Sequence, residues 1–369
     1  MSSTESPRAT VSSDERLRIG VMHGDGIGPE IVPAAVAVAD AAAARSGFGI
    51  DWRELPFGAA AIDTHGTPIP DQTLDALSGM DLWVLGPHDS AAYPGGFAAD
   101  LTPGGVIRKQ FDLFANLRPS RALPGVAATA PGIDILIARE NSEGLYADRN
   151  MAVGSGEFMP TPDIALSVGV ITRAATERIA HEACRAARGR SRHVTIVHKA
   201  NVLRLTTGLF RDVCREVAAE YPDVRVDDFH VDAMAAMLVR RPADFDVVVT
   251  ENLFGDILSD LAGELAGSLG IAASVNCSSR QAMAQAAHGA APDIAGQGIA
   301  NPVAIIGSTA MLLRWYAGRT GRSDVLEAAG RIDAAVAATL GARVSTRDLG
   351  GTATTAVFTE KVLANIADS

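Results

Sequence analysis

Hydrophobic positions along this chain come as short unbroken runs separated by longer stretches of helical spacing. Leu17–Met22 is such a run. A glycine turn follows, and Pro29 then opens an alanine-rich segment that reads as a helix to about Ala44. Further buried-strand signals stand at Ile50–Pro56, Leu82–Gly86, Ile133–Arg139, Val194–His198 and Val247–Thr250, with helices predicted at 173–188 and 207–220. Runs without alternation belong to strands covered on both faces, so the pattern predicts an α/β fold with a largely parallel sheet. The stretch 289–302 is rich in glycine and proline and predicts a long loop, the kind that is usually functional.

Composition narrows the classes. The 369 residues suffice for two lobes, and residues 1–15 are polar, which predicts a disordered tail. A net charge of −11 argues against nucleic-acid or anionic-membrane partners, and no apolar run has membrane-spanning length. Cys184, Cys214 and Cys277 are odd in number and widely spaced, so the expected compartment is a reducing cytoplasm.

Chemistry enters first at 246–270. The strand at Val247–Thr250 leads into a helix carrying Asp256 and Asp260, four residues apart and so on one face, roughly 40° apart in projection. Two acids on one face repel, and a divalent oxygen-seeking ion would convert that repulsion into a site. A solvated face is the plainer alternative, but Leu253, Phe254, Ile257, Leu258 and Leu261 make the helix largely apolar. Asp232 reads either as a third acid for such an ion or as a helix N-cap. Arg108, Arg118 and Arg139 each adjoin an apolar segment. Brought together they would grip a di- or tricarboxylate, and taken singly each reads as a surface ion-pair partner. Tyr146 and the strand-end Lys199 read singly as packing and solvated residues, and together as a proton-transfer pair. Gly24-Asp-Gly26-Ile-Gly28 has some likeness to a Rossmann fingerprint, with Asp51 as its ribose acid. The spacing is wrong for it, and a tight turn into a helix explains the glycines equally well. In the 288–302 loop, small residues would admit a flat ligand and Asp293 could accept both hydroxyls of a ribose.

Taken together, GDGIGPE at 24–30, FANLRP at 114–119, HKANVL at 198–203, ENLFGDILSD at 251–260 and APDIAGQGIANP at 291–302 resemble the β-decarboxylating dehydrogenases. These are the isocitrate, 3-isopropylmalate and tartrate/D-malate dehydrogenase family. The resemblance runs from residue 17 to about 365. It implies two α/β lobes around an interlobe active-site cleft. The first lobe is discontinuous, 16–114 with 267–369, and the central lobe, 115–266, carries substrate, metal and dimer contacts. It further implies a homodimer whose active sites are shared between chains, with NAD and Mg2+ or Mn2+ as cofactors. Arg108, Arg118 and Arg139, with Thr102 and Asn201, match substrate-binding positions. Tyr146 and Lys199 match the catalytic pair. Asp256 and Asp260 match the metal acids of one chain, and Asp232 the acid supplied by its neighbour. Ile27, His288, Gly289, Ala290, Ala291, Asp293, Ile294 and Asn301 match the cofactor site. NAD is expected over NADP because Asp293-Ile294 stands where NADP users tend to carry Lys and Tyr, and a carboxylate would repel a 2′-phosphate.

Substrate choice departs from the known patterns. Isopropylmalate enzymes place two leucines before the first arginine, and isocitrate enzymes a serine and an asparagine. This chain has LTPGGVI, with Gly104-Gly105 expected to leave room for an unusual C3 substituent. Gln285 and Ala290 also differ from the common glutamate and serine. The expected reaction is oxidative decarboxylation of a 3-substituted (R)-malate, 3-isopropylmalate dehydrogenase-like. Isocitrate, tartrate or D-malate, or a side-pathway acid, stay open as substrates. A non-catalytic regulatory subunit and a metal-free Rossmann hydroxyacid dehydrogenase are the rival classes.

Overall fold

The computed structural model describes residues 16–95, 97, 101–146, 151–152 and 154–368, so the expected tail at 1–15 lies outside the described residues. The strands are β1 (Leu17–Met22), β2 (Ile50–Glu54), β3 (Leu82–Leu85), β4 (Ala115–Arg121), β5 (Asp134–Glu140), β6 (Glu157–Thr161), β7 (Ile164–Ser167), β8 (His193–His198), β9 (Arg225–His230), β10 (Val247–Thr250), β11 (Val275–Cys277) and β12 (Ala282–Gln285). The helices are α1 (Gly28–Arg45), α2 (Ala59–His65), α3 (Asp71–Ser78), α4 (Pro103–Gln110), α5 (Arg173–Arg188), α6 (Thr206–Ala218), α7 (Val231–Arg240), α8 (Asn252–Ala266), α9 (Val303–Thr320), α10 (Ser323–Gly341) and α11 (Thr355–Ala367).

Ten strands form one sheet in the order β2-β1-β3-β12-β11-β4-β5-β10-β8-β9, and β6 and β7 form a separate hairpin. Six of the nine neighbouring pairs in the large sheet are parallel, and the three antiparallel ones lie together at β12-β11-β4-β5. The central strands β11 and β4 therefore join two parallel sets of opposite sense. One set draws on residues 17–85 and 282–285, the other on 134–250.

Both faces of this sheet are covered, which is why its strands read as unbroken apolar runs. Val247 and Val249 point into a core shared with α1, α5, α6, α9, α10 and α11. Val248 between them points the opposite way, against Leu258 of α8 and Met234 of α7. On that second face, in the other half of the sheet, Met22, Trp83 and Leu85 pack with Ile107 of α4. Phe111, just past α4, seats its ring 4.7 Å from Trp83. Helices α4 and α8 thus lie on the same face of the sheet, one against each half. No helix among the described residues is long and apolar enough to cross a membrane. The three cysteines are buried free thiols.

Candidate active site

Strand ends explain where the chemistry gathers. In the second parallel set, β5, β10, β8 and β9 all end on one side, and each end carries or leads into a predicted residue. Arg139 pairs with Thr250 in register, and Glu251 then opens α8. His198 and His230 are paired across β8 and β9, so Lys199 and Asp232, just beyond them, meet as an ion pair. The N-cap reading of Asp232 is corrected here. His230, still extended, holds that position, and Asp232 sits in the first turn of α7 with its carboxylate on Lys199. The Lys199 ammonium accordingly lowers the Asp232 pKa.

Arg139 is 4% exposed and runs beneath α8. The approach requires glycine above it, since a Cβ at Gly255 would lie 2.6 Å from the Arg139 Cγ. Its Nε and Nη2 donate to Asn252 Oδ1 at 2.9 and 2.7 Å, while Nη1 bonds to Asp256. Asn252 is fixed in turn by donating to the Glu143 carbonyl at 3.0 Å. Arg118 reaches the same helix from β4. Its Nη1 donates to Ser259 Oγ at 2.8 Å and Asp260 Oδ1 at 3.1 Å, and stands 3.3 Å from Asp256 Oδ1. Asn116 holds the Arg118 Nε at 2.7 Å and itself donates to Asn276 across the central strands. Tyr146 donates its hydroxyl to Asp256 Oδ2 at 3.1 Å. Arg118, Arg139, Tyr146, Asp256 and Asp260 are therefore one constellation.

Both acids reach the surface. The Asp256 side chain, whose oxygens meet Arg139, Arg118 and Tyr146, is 34% exposed and that of Asp260 53%. Partial burial, and repulsion from Asp256, hold the Asp260 carboxyl above its ordinary range against the pull of Arg118. Two hard oxygen donors whose mutual repulsion is only partly relieved fit a divalent ion. Among the described residues of one chain no three His, Cys, Asp or Glu side chains form a metal-sized group. Asp232 is held by Lys199, not by this pair.

Behind the constellation lie three buried acids. Burial pushes Glu143 and Glu251 up to about 7, and raises Glu140 as well. Glu143 accepts from Thr172 N and Oγ1, at 2.7 and 2.9 Å, and so anchors the start of α5.

The other parallel set gathers the cofactor-side segments in the same way. Met22 of β1 and Gln285 of β12 both pair with Leu85 of β3, so the loops leaving these two strands adjoin. Ile27 N donates to Ala290 O at 2.9 Å, and Gly296 N bonds to Glu30. Gly24 and Gly26 have φ of +74° and +56°, which explains the glycine motif as a turn. Asp51 lies on the edge strand and pairs with Arg18 at 3.7 Å. Ala291 has a φ of +40°, and Asp293 is exposed beside the part-buried Ile294. Asn301 donates to Asp348 at 2.8 Å, and His288 bonds to its neighbour Gly289.

Three predicted substrate residues stand apart. Thr102 caps α4 by accepting from Gly105 N at 3.2 Å, and Asn201 is exposed in the turn after Lys199. Arg108 lies on α4 beside the His88 loop. A cavity of about 1150 Å³, on the opposite face of the sheet between α5 and α9, contains none of the predicted site residues. Sequence reasoning missed Asn252 and Gly255, although Asn252 is four residues before Asp256 and shares its helix face. It also missed Asn116, Asn276 and His88, for which no local signal exists.

Residues 18–366 match the family model for isocitrate/isopropylmalate dehydrogenase. The chain belongs to that family. It is 42% identical over 349 residues to an isocitrate/homoisocitrate dehydrogenase of Thermus thermophilus, covering 94% of this chain and 97% of the relative. It is 40% identical to a 3-isopropylmalate dehydrogenase of Archaeoglobus fulgidus, covering 94% and 98%. Its fold superposes on the crystal structure of isocitrate dehydrogenase from Methylococcus capsulatus with a TM-score of 0.83 at 39% identity, covering 95% of this chain and 99% of that one. Membership in this family makes the chain a decarboxylating dehydrogenase acting on small carboxylates. The plain Rossmann reading falls with the fold.

Proposed function

We propose that this member of the family oxidatively decarboxylates a 3-substituted (R)-malate to a 2-oxo acid, using NAD and Mg2+ or Mn2+. The observation that carries the reading is the convergence of Arg118, Arg139 and Tyr146 on the acid pair Asp256 and Asp260. In this reading Asp256 and Asp260, with Asp232 of a second chain, hold the metal. The 288–302 loop and Ile27 hold the cofactor, Asp293 meeting the adenosine ribose. When bound, the ion would supply Lewis-acid polarisation of the C2 oxygen and the nicotinamide would supply the hydride acceptor. Everything else falls to the chain. Arg108, Arg118 and Arg139 grip the carboxylates by paired N–H donors, with Thr102 and Asn201 alongside. Lys199, once it has released its own ammonium proton to solvent, takes the C2 hydroxyl proton as the neutral amine, directly or through Asp232, its partner. Tyr146 carries the proton for C3 after carbon dioxide leaves.

A homodimer with shared sites supports this assignment best. Lys199 and Asp232 are paired with each other. In the turn after Lys199, Leu205 is 88% and Val202 65% exposed, and the β6–β7 hairpin separately exposes Phe158, Met159, Ile164 and Leu166. A second copy of the chain would cover such a surface. We place the lobes at 16–114 with 267–369 and at 115–266, following the division of the sheet, and the protein in the cytoplasm.

The test is absorbance at 340 nm with Mn2+ and NAD, on 3-isopropylmalate, isocitrate, D-malate and tartrate, with carbon dioxide release followed in parallel. NADH and carbon dioxide in equal amounts from one of these acids is the expected result. A folded protein that turns over none of them would favour the regulatory-subunit reading. Full turnover in excess chelator would remove the metal.

A further inference from the structure

Gly104 and Gly105 leave α4 bare where a relative's side chain would face the substrate, but the room at Gly104 is filled. A Cβ there would lie 2.7 Å from Nε2 and 3.2 Å from Cδ2 of His88, and 3.8 Å from Nη2 of Arg108. Gly104 and Arg108 are one helical turn apart, so the imidazole and the guanidinium flank the same turn.

His88 is held firmly in this place. Asp25 N donates to the Pro87 carbonyl at 2.7 Å, and Asp89 N donates to Asp25 Oδ2 at 2.9 Å, so both neighbours of His88 are tied to one residue. Asp25 is itself fixed by the Tyr93 hydroxyl at 2.6 Å and by Ala59 N at 2.7 Å. The Phe57 ring stands 6.2 Å from the imidazole. Burial first, and then the Arg108 charge, lower the His88 pKa and favour the neutral ring. Its Nδ1 is buried without a hydrogen-bond partner among the described residues. A buried acceptor left alone costs less than a buried N–H left alone, which assigns the ring proton to Nε2. The nitrogen standing over Gly104 is therefore a donor, with no aliphatic side chain on Gly104 or Gly105 to make an apolar wall.

We propose that His88 determines substrate specificity: its Nε2, over Gly104 and beside Arg108, donates to an oxygen on the C3 substituent of the malate. Oxygen-bearing substituents are then accepted, and a branched alkyl group, which leaves the donor unpaired, is rejected. This rests on the malate reaction proposed above.

The test compares wild type, His88→Ala and His88→Asn on isocitrate, tartrate and 3-isopropylmalate with Mn2+ and NAD. Wild type should favour isocitrate or tartrate. His88→Ala should move the kcat/KM ratio toward 3-isopropylmalate by about tenfold or more. His88→Asn, which keeps a donor, should retain part of the preference. Equilibrium binding of the same acids with Mn2+ and no NAD reads the same ratio if either variant turns over poorly. A ratio within about twofold of wild type in His88→Ala, or a wild type that already prefers 3-isopropylmalate, overturns the proposal and leaves the reaction standing. A wild type that neither turns over nor binds any of these acids overturns both.

Discussion

The two charged regions at the strand ends of the second parallel set differ in how they are held. Around Asp256 every charge is braced. Arg139 is buried and locked by Asn252, Arg118 is held by Asn116 and Ser259, and both cations meet the same carboxylate. Around Lys199 the bracing is thin. The Asp232 side chain is 67% exposed, Lys199 is its partner, and the turn after Lys199 carries the bare Leu205. In the function proposed above, the first region is a preorganised half-site that orients a dianion, and the second is a proton-handling pair offered to a partner chain. The difference teaches that a braced charge cluster and an exposed ion pair can arise at the ends of the same set of parallel strands.

Breaking the braced half should have the largest effect. Asp256→Asn removes the carboxylate shared by both arginines and Tyr146. We expect turnover to fall by at least about 10²–10³-fold with the dimer intact by sedimentation. Near-normal activity would refute the metal and arginine assignment.

The exposed cofactor loop should respond in preference, not in competence. Asp293→Lys places a cation where a 2′-phosphate would sit, and should shift the NADP/NAD ratio of kcat/KM by about tenfold toward NADP. An unmoved ratio would mean that adenosine is held elsewhere.

The smallest effect concerns the acids behind the braced half. Glu251 has a folded pKa of about 7, raised first by burial and then by Glu140 and Glu143. A raised carboxyl keeps its proton in the folded chain while the unfolded chain sheds it near 4.5. The associated stability is therefore present below about pH 4.5 and is lost as pH rises toward 7. Glu251→Gln, neutral throughout, should match wild type at pH 4 or below. At pH 8 it should be more stable, by on the order of 2 kcal/mol in a denaturant titration. Equal stability at both pH values would contradict the assignment of Glu251 as a buried acid under strain from its neighbours.

The same contrast shows what the sequence made legible. β1 and β10 coincide with the predicted segments because both of their faces are buried, and a continuous run such as Val247–Thr250 has no other good reading. The central strands escaped prediction. ANLRPSR and VNC carry Asn116 and Asn276, buried polar side chains that bond each other across 160 residues and are further satisfied by Arg118 and Asn141. The Asp256/Asp260 face was legible from four-residue spacing. The arginine convergence was not, since it depends on β4 and β5 lying side by side beneath α8. The glycine pair misled: local sequence shows the missing side chains but not the imidazole of His88, sixteen residues upstream, that occupies the space at Gly104.

Complementation tests the central claim, that each site draws on two chains, most directly. Asp256→Asn and Lys199→Ala, each inactive alone, would be co-expressed with different affinity tags, and the mixed dimer isolated. Random pairing makes half the dimers mixed, and each mixed dimer holds one site with both native residues. The unfractionated mixture should therefore recover about a quarter of wild-type activity, and the isolated mixed dimer about half. A mixed dimer as inactive as its parents would place Lys199 and Asp256 in the same chain's site and contradict the account.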